Sequence, residues 1–239
     1  MSACFGTMQQ DIGDTVLRNS QGVVGSVAGS VYFGEGSWSS EGRPHASSAK
    51  TRRPLTFLLR RTGKTLSACR AALYSADPEI DRNNIIHAKG GRTQGTCEWI
   101  KNHTRFQSWL NGDKRLLWIR GGPGKGKTVM SVYLTEEISS EQPRSFAYFF
   151  CTGQDAERNS ASAVLRGLLW QIIKDKPKLQ QYLLPCFDPP ERGRATRSSE
   201  ETLWNLFRDT CRHADIQRLY CLVDGVDECD EDSMHWLVD

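Results

Sequence analysis

GGPGKGKT, at residues 121–128, matches the phosphate-binding loop pattern G-x-x-x-x-G-K-[ST] at every required position. Its closely spaced glycines let the backbone turn tightly and point several N–H groups inward, which makes a nest for an anion. In such a loop Lys127 reaches the β- and γ-phosphates of a nucleotide, and the Thr128 hydroxyl ligates Mg²⁺. The residues predicted to bind the nucleotide are Gly121, Gly122, Pro123, Gly124, Lys125, Gly126, Lys127 and Thr128. The alternative interpretation is a glycine-rich turn with an exposed lysine.

A second motif, LYCLVDGVDEC at residues 219–229, is an apolar run that ends in clustered carboxylates. The run predicts a buried strand with Asp224 at its carboxyl end, which is the edge where ligands of open α/β sheets bind. We therefore predict that Asp224 is the carboxylate of the magnesium site, directly or through water. Asp227 and Glu228 are candidates to orient or deprotonate an attacking water, with Glu228 favoured. The alternative is that the acidic run 227–232 is a solvated turn.

Short apolar runs alternate with helical patterns around the two motifs. Strands are predicted at residues 115–119, 145–152 and 218–223, and helices at 97–102, 105–110, 127–139, 161–175, 200–213 and 233–238. The first two helices are expected to bury Trp99, Ile100, Phe106, Trp109 and Leu110. Strands separated by helices predict an α/β fold, a parallel sheet flanked by helices of the P-loop NTPase kind.

Composition divides the chain into three segments. Residues 1–76 are rich in Gly and Ser and then in basic residues, and we expect them to be mostly disordered, with a possible helix at 55–74. That basic and apolar helix suits either an anionic membrane surface or solvent, and solvent is favoured. Residues 77–114 are expected to form a helical linker that begins with a polar connector, 77–91. Residues 115–239 are expected to form the NTPase core.

Charge and cysteine usage narrow the class of protein. The 239 residues carry 31 Lys and Arg against 28 Asp and Glu, and the positive excess lies before the glycine loop. Because the basic residues cluster outside the two motifs, no nucleic-acid partner is expected. The eight cysteines are scattered, which favours free thiols in a reducing compartment, with Cys151 and Cys221 buried. No run approaches the ~20 apolar residues of a membrane span and no signal peptide is recognisable, so we expect a cytoplasmic protein.

The two motifs resemble those of a NACHT domain, which belongs to the STAND class of P-loop NTPases. A small residue directly after the magnesium aspartate, as in DGVDE at 224–228, is typical of that family. CEWIKNHTRFQSWLNGDKRLLWIRG (97–121) and SASAVLRGLLWQI (160–172) also resemble the fungal, NLR-like branch linked to vegetative, or heterokaryon, incompatibility. The resemblance covers about residues 77–239.

The resemblance implies a signalling switch that binds ATP or GTP with Mg²⁺ and meets protein partners by oligomerisation of its NTPase core. It also implies a further strand between the two motif strands, and a helical lid after them, which the sequence through Asp239 does not contain. We therefore expect an incomplete sheet, with a gap between the motif strands that leaves backbone groups unpaired. Nucleotide binding with weak or absent hydrolysis is the expected activity.

Two other classes of function stay open on the sequence alone. One is a P-loop NTPase of metabolic or nucleic-acid-remodelling type, although no acceptor-binding motif accompanies the loop. The other is a non-catalytic interaction protein with a vestigial site, against which the intact loop and Asp224 argue. Arg158 could approach the γ-phosphate, but a surface ion pair with Asp155 or Glu157 is favoured.

Overall fold

The computed structural model describes residues 12–13, 29–33, 67–141, 146–213, 216 and 218–238. Its strands are β1 Ile12–Gly13, β2 Gly29–Phe33, β3 Leu116–Arg120, β4 Phe146–Phe150 and β5 Tyr220–Asp224. Its helices are α1 at 67–73, α2 Pro78–Lys89, α3 Thr104–Leu110, α4 Lys127–Glu141, α5 Ala161–Asp175, α6 Gln180–Phe187, α7 Pro190–Arg197, α8 Glu200–Cys211 and α9 Glu231–Val238. Short 3₁₀ turns lie at Glu98–Asn102, Pro177–Leu179 and Val226–Glu228.

The strands form one mixed sheet in the order β1-β3-β2-β5-β4. β4 and β5 pair in parallel, with Phe146 opposite Tyr220 and Phe150 opposite Asp224. β2 pairs antiparallel with β3 on one side and with β5 on the other, so β3 and β5 run parallel to each other. The prediction of a parallel sheet is confirmed for β4 and β5, and the antiparallel strands β1 and β2 were not predicted.

The expected gap between the two motif strands is wrong. β2 lies between β3, which precedes the glycine loop, and β5, which ends at Asp224. Its sequence, GSVYF, carries a β-branched and two aromatic residues within a region whose Gly and Ser content hid this short strand signal. The predictions of disorder for the rest of residues 1–66, and of a helix over 55–66, lie outside the described residues.

Helices cover both faces of the sheet, and alternate side chains of β5 pack against the helices on opposite faces. Tyr220 and Leu222 pack in a cluster with residues of α3 and α4, whereas Cys221 and Val223 pack in a second cluster with residues of α5. This alternation is the period-2 pattern of a strand buried on both sides. The expected burial of Cys151 and Cys221 is confirmed, at 7% and 1% exposure.

The polar connector predicted at 77–91 is wrong, because most of it is the helix α2. The Asp77 side chain caps the helix by accepting a hydrogen bond from the Glu79 N–H at 3.0 Å, and Pro78 occupies the first position. Gly90, with a φ angle of 82°, follows its last residue. The cap residues were present in the sequence, but the low apolar content of the segment concealed them.

No helix was predicted between residues 175 and 200, where the chain was expected to form a polar loop through Pro189 and Pro190, but this segment contains α6 and α7. Leu179, Leu183 and Phe187 recur every four residues and are nearly fully buried in the same cluster as α5. That spacing places them on one face of a helix. Pro189 and Pro190 had suggested a loop, yet Pro190 is the first residue of α7, where proline is tolerated.

The short helices before β3 are confirmed, with one correction to their buried faces. Ile100, Phe106 and Trp109 are buried, as expected, and Leu110 is half-buried. Trp99, however, is 39% exposed, because neighbouring residues of a single helical turn point in different directions and Ile100 takes the inward one. Within the described ranges, no helix is long and apolar enough to cross a membrane.

Candidate functional site

The glycine loop, residues 121–126, joins β3 to α4, which is the strand–loop–helix context predicted for it. Gly124 and Gly126 have φ angles of 71° and 80°, in the left-handed region that other residues rarely adopt. A Cβ atom built on either glycine, or on Gly122, would meet nothing within 4 Å, so the loop is open on that side. An open loop at the N-terminus of a helix, whose first N–H groups have no intrahelical partner, can receive a phosphate.

Lys127 folds back onto this loop. Its Nζ donates hydrogen bonds to the carbonyl oxygens of Gly121, at 2.7 Å, and Gly122, at 3.3 Å. The side chain is half-buried. The ammonium group therefore lies directly against the loop that would hold the phosphates.

Asp224 is connected to the same helix that follows the loop. It is the last residue of β5 and only 4% exposed, and its Oδ1 accepts a hydrogen bond of 2.9 Å from the Ser131 hydroxyl. Ser131 is fully buried and lies three residues after Thr128, on the same side of α4. The bond thus brings the carboxylate of the second motif beside the first turn of the helix that begins with the first motif.

The donor set at this point fits a magnesium ion. Mg²⁺ prefers oxygen ligands, takes one or two from the protein, and fills its remaining positions with water and substrate phosphates. The Asp224 carboxylate and the Thr128 hydroxyl are such donors. In the described part of the chain no three His, Cys, Asp or Glu side chains are grouped to hold a metal ion.

A tight turn follows Asp224, and Gly225 makes it possible. Its φ angle is 72°, and a Cβ at this position would lie 2.9 Å from the carbonyl oxygen of Cys151. The Cys151 N–H donates to the Asp224 carbonyl oxygen at 2.8 Å, so the two backbones are fixed together. A side chain at position 225 would disturb the placement of Asp224.

The two candidate catalytic carboxylates, Asp227 and Glu228, are both exposed. They lie in the 3₁₀ turn that follows Gly225. The Glu228 Oε2 accepts a long hydrogen bond of 3.4 Å from the Gly153 N–H, in the loop after β4. Glu228 thus has a contact across the strand edge, but it is open to solvent.

The Cys151 thiol, which lies close to Asp224, has a raised pKa. A hydrogen bond with the Cys229 thiol, together with burial, raises the pKa of Cys151 well above its usual value, and the negative charges of Asp224 and Glu228 act in the same direction. A thiol that stays protonated is a poor nucleophile. Cys151 packs against the turn at Gly225 and fixes it through its backbone hydrogen bond with Asp224.

Arg158 forms ion pairs and is not directed at the loop. Its Nε donates to Asp155 at 2.8 Å, which confirms the favoured interpretation, and a second guanidinium nitrogen donates to Asp81 of α2 at 2.9 Å. Burial raises the pKa of Asp81 despite this arginine. The pair ties α2 to the loop after β4, a contact that was missed because α2 itself was not predicted.

A cavity of about 260 Å³ lies between the C-terminal part of α2 and one side of α4. Ile85 and Gly90 line it on one side, and Val129 and Tyr133 line it on the other. Val129 directly follows Thr128, so the cavity adjoins the predicted phosphate-binding residues. Its lining is mixed, because the charged residues Lys89, Arg92 and Glu136 also contribute to it.

Comparison with known proteins adds two matches. The family model described as "Nephrocystin 3, N-terminal" matches residues 95–239. The "Vegetative incompatibility protein HET-E-1" of Podospora anserina is 33% identical over 166 residues, which is 67% of this chain and 12% of that protein. The chain thus spans about an eighth of the length of this relative. A search of solved structures gave no significant match. The resemblance to fungal NACHT proteins of the incompatibility type is confirmed.

Proposed function

The chain belongs to the family described as Nephrocystin 3, N-terminal, and on that premise we propose that it binds ATP or GTP with Mg²⁺ as part of a NACHT-type signalling switch. The hydrogen bond between Ser131 and Asp224 carries the proposal. It joins the helix that follows the glycine loop to the second motif, which lies far away in the sequence, and so places a buried carboxylate beside that helix. A structural turn would have no need of that carboxylate.

In this proposal the glycine loop and the N-terminus of α4 hold the β- and γ-phosphates. Lys127 exchanges one or both of its contacts with the Gly121 and Gly122 carbonyls for phosphate oxygens. Thr128 and Asp224 hold the magnesium ion, which when bound supplies charge neutralisation for the phosphates. Ser131 orients Asp224 by donating its hydroxyl hydrogen to one carboxylate oxygen.

The cavity between α2 and α4 is the place for the base or the sugar. Its position next to Val129 puts it within reach of a nucleotide whose phosphates lie on the loop. Its lining also includes the charged residues Lys89, Arg92 and Glu136, which offer hydrogen-bond donors and an acceptor to either base. Both nucleotides therefore stay in the proposal.

The match to a fungal incompatibility protein supports the signalling part of the proposal. In that view the nucleotide state of this domain controls its assembly with other protein chains. Oligomerisation through the nucleotide-binding core is the form of partner contact that we propose.

Hydrolysis by this chain is proposed to be weak. The Glu228 carboxylate is exposed and makes one long hydrogen bond, so it is not held in place against an attacking water. We expect fewer than about one phosphate released per chain per minute, well below the usual 1–10³ s⁻¹ of enzymes. A phosphate-release assay with nucleotide in at least about a hundredfold excess over the chain measures this, and sustained turnover faster than one per second would refute it.

The magnesium site is tested by replacing Asp224 with asparagine. For the wild-type chain we expect EDTA to weaken the binding of a fluorescent ATP or GTP analogue by at least about tenfold, or 1.4 kcal/mol. In Asp224→Asn the affinity should be low already and EDTA should change it by less than about twofold. Asp113→Asn, which removes an exposed carboxylate after α3, is the matched control and should keep the full response to EDTA. An unchanged EDTA response in Asp224→Asn would remove this residue from the metal site.

A further inference from the structure

Two thiols meet where the loop after β4 contacts the turn after β5. Cys151 directly follows β4, and Cys229 directly follows the 3₁₀ turn at 226–228. The Cys151 thiol is hydrogen-bonded to the Cys229 thiol, and both side chains pack in the cluster that contains residues of α5. Both thiols are free. A hydrogen bond between two thiols brings their sulfur atoms into contact, because each sulfur is both a weak donor and a weak acceptor.

Backbone contacts hold the loop and the turn side by side. The Cys151 N–H donates to the Asp224 carbonyl oxygen at 2.8 Å. Two residues further along the loop, a Cβ atom built on Gly153 would lie 3.2 Å from the Glu228 carbonyl oxygen. Cys229 donates its own N–H back to the first residue of the 3₁₀ turn at 3.2 Å. The backbones of the loop and the turn are therefore in contact at two points, and the turn that positions the second thiol is closed.

The two thiols differ in their access to solvent. Cys151 is only 7% exposed, whereas Cys229 is half-buried and follows two exposed acidic residues. A dissolved oxidant therefore reaches Cys229 first. Redox-sensitive cysteines are accessible thiols that often lie next to a second, resolving cysteine. Cys229 and Cys151 have this arrangement.

We propose that Cys151 and Cys229 are a redox modification site and form a reversible disulfide. The oxidant is the disulfide of a small thiol, such as oxidised glutathione. The Cys229 thiolate attacks one sulfur of that disulfide, the S–S bond breaks, and one small thiol leaves with the proton that Cys229 has lost. Cys151 then loses its proton and attacks the Cys229 sulfur of the mixed disulfide, and the second small thiol leaves with this proton. Two protein thiols are thus oxidised to one disulfide, and one small disulfide is reduced to two thiols.

Contact between the two sulfurs makes the second step feasible. Cys151 is buried, and a protonated thiol is a poor nucleophile toward molecules in solution. Its target in the mixed disulfide, however, is the neighbouring Cys229 sulfur. Reactions between groups that are already held in position have very high effective concentrations, which offsets the low reactivity of the buried thiol.

The disulfide would lock the turn that carries the two candidate catalytic carboxylates. Asp227 and Glu228 lie between the end of β5 and Cys229. In the reduced chain, the Glu228 carboxylate is joined to the loop after β4 by one hydrogen bond of 3.4 Å. Oxidation adds a covalent bond at the next residue. The redox state of the thiol pair therefore sets how freely this turn moves, whether or not a nucleotide is bound.

The test treats the folded full chain with oxidised glutathione at neutral pH, blocks the remaining thiols by alkylation, and maps the disulfides by mass spectrometry. Cleavage at acidic residues separates Cys229 from Cys221. We expect the bond between Cys151 and Cys229 to be at least about tenfold more abundant than any other pairing of cysteines. Dithiothreitol should reverse it, and the chain unfolded in guanidinium should give mixed pairings. A stable glutathione adduct at Cys229 beside a free Cys151, another partner for Cys151, or no oxidation of either thiol would overturn the proposal.

Cys229→Ser tests the order of the two steps. In this variant Cys151 should stay a free thiol under the same treatment, because it is buried and has lost the thiol through which it is oxidised. Cys97→Ser removes a different half-buried thiol and is the matched control, which should keep the bond between Cys151 and Cys229. Oxidation of Cys151 to the same extent in both variants would contradict the pairing.

Hydrogen–deuterium exchange measures the locking of the turn and needs no variant. The amides of residues 228–230 donate hydrogen bonds in and after this turn. They should exchange at least about tenfold more slowly in the oxidised wild-type chain than in the reduced one. Equal exchange in the two states would show that the bond does not lock the turn. None of these measurements uses nucleotide, so their failure is separate from a failure of nucleotide binding.

Discussion

Replacing Lys127 with alanine is expected to abolish measurable binding of Mg²⁺–nucleotide. A charge-assisted hydrogen bond contributes about 1.5–3 kcal/mol, so the loss of contacts to two phosphates lowers the affinity by roughly a hundredfold or more. The fold should survive, because the side chain is half-buried and its two contacts are to carbonyl oxygens of an open loop. Titration with a fluorescent ATP or GTP analogue measures the affinity, and thermal unfolding checks the fold.

Lys178→Ala is the matched control for this substitution. It removes one positive charge from an exposed position in the 3₁₀ turn before α6, outside the glycine loop. Its affinity should stay within about twofold of the wild type, since single exposed charges contribute little. If Lys127→Ala binds nucleotide as tightly as Lys178→Ala, the glycine loop does not bind the phosphates through Lys127 and the proposed function is wrong.

Gly225→Val is expected to lower the free energy of unfolding by about 2–4 kcal/mol. A β-branched residue at a φ angle of 72° is strained, and its Cβ would lie 2.9 Å from the carbonyl oxygen of Cys151. Neither side can move freely, because the Cys151 N–H is bonded to the Asp224 carbonyl oxygen. The melting temperature should fall by roughly 5–15 °C for a protein of this size.

Gly91→Val provides the comparison for Gly225→Val. Position 91 is exposed, its φ angle is outside the left-handed region, and an added Cβ meets nothing within 4 Å. Its effect should stay within about 0.5 kcal/mol. Equal melting temperatures for the two valine variants would show that the turn after Asp224 is not constrained as described.

Long, strongly patterned segments were predictable from the sequence, and short or polar ones were not. α5 repeats its buried residues with a clear helical period, and β5 is an unbroken apolar run, so both were located within two residues. β2 has five residues and its pairing partners lie about a hundred residues away, so no local pattern could place it. α2 is stabilised by its cap and by the ion pair between Asp81 and Arg158. The ion pair is visible only in the tertiary structure.

The residues of the candidate site also differ in whether the sequence could predict them. The glycine loop and Asp224 are visible in the sequence, because phosphate and metal chemistry demands these residue types. Ser131 was not identified, although its position three residues after Thr128 on a predicted helix was a usable signal. The hydrogen bond from Lys127 Nζ to a carbonyl oxygen of its own loop could not be predicted, because it depends on the side-chain conformation.

The central claim is that this chain recognises the triphosphate and its metal through residues 121–128 and Asp224. A competition titration tests it most directly, with a labelled nucleotide bound to the wild-type chain in Mg²⁺ and displaced by ATP, GTP, adenosine or guanosine. We predict that at least one triphosphate displaces the label fully and that its nucleoside is at least about a hundredfold weaker, because the phosphate contacts supply most of the affinity. Equal displacement by triphosphate and nucleoside, or no binding of the label at all, would contradict the account.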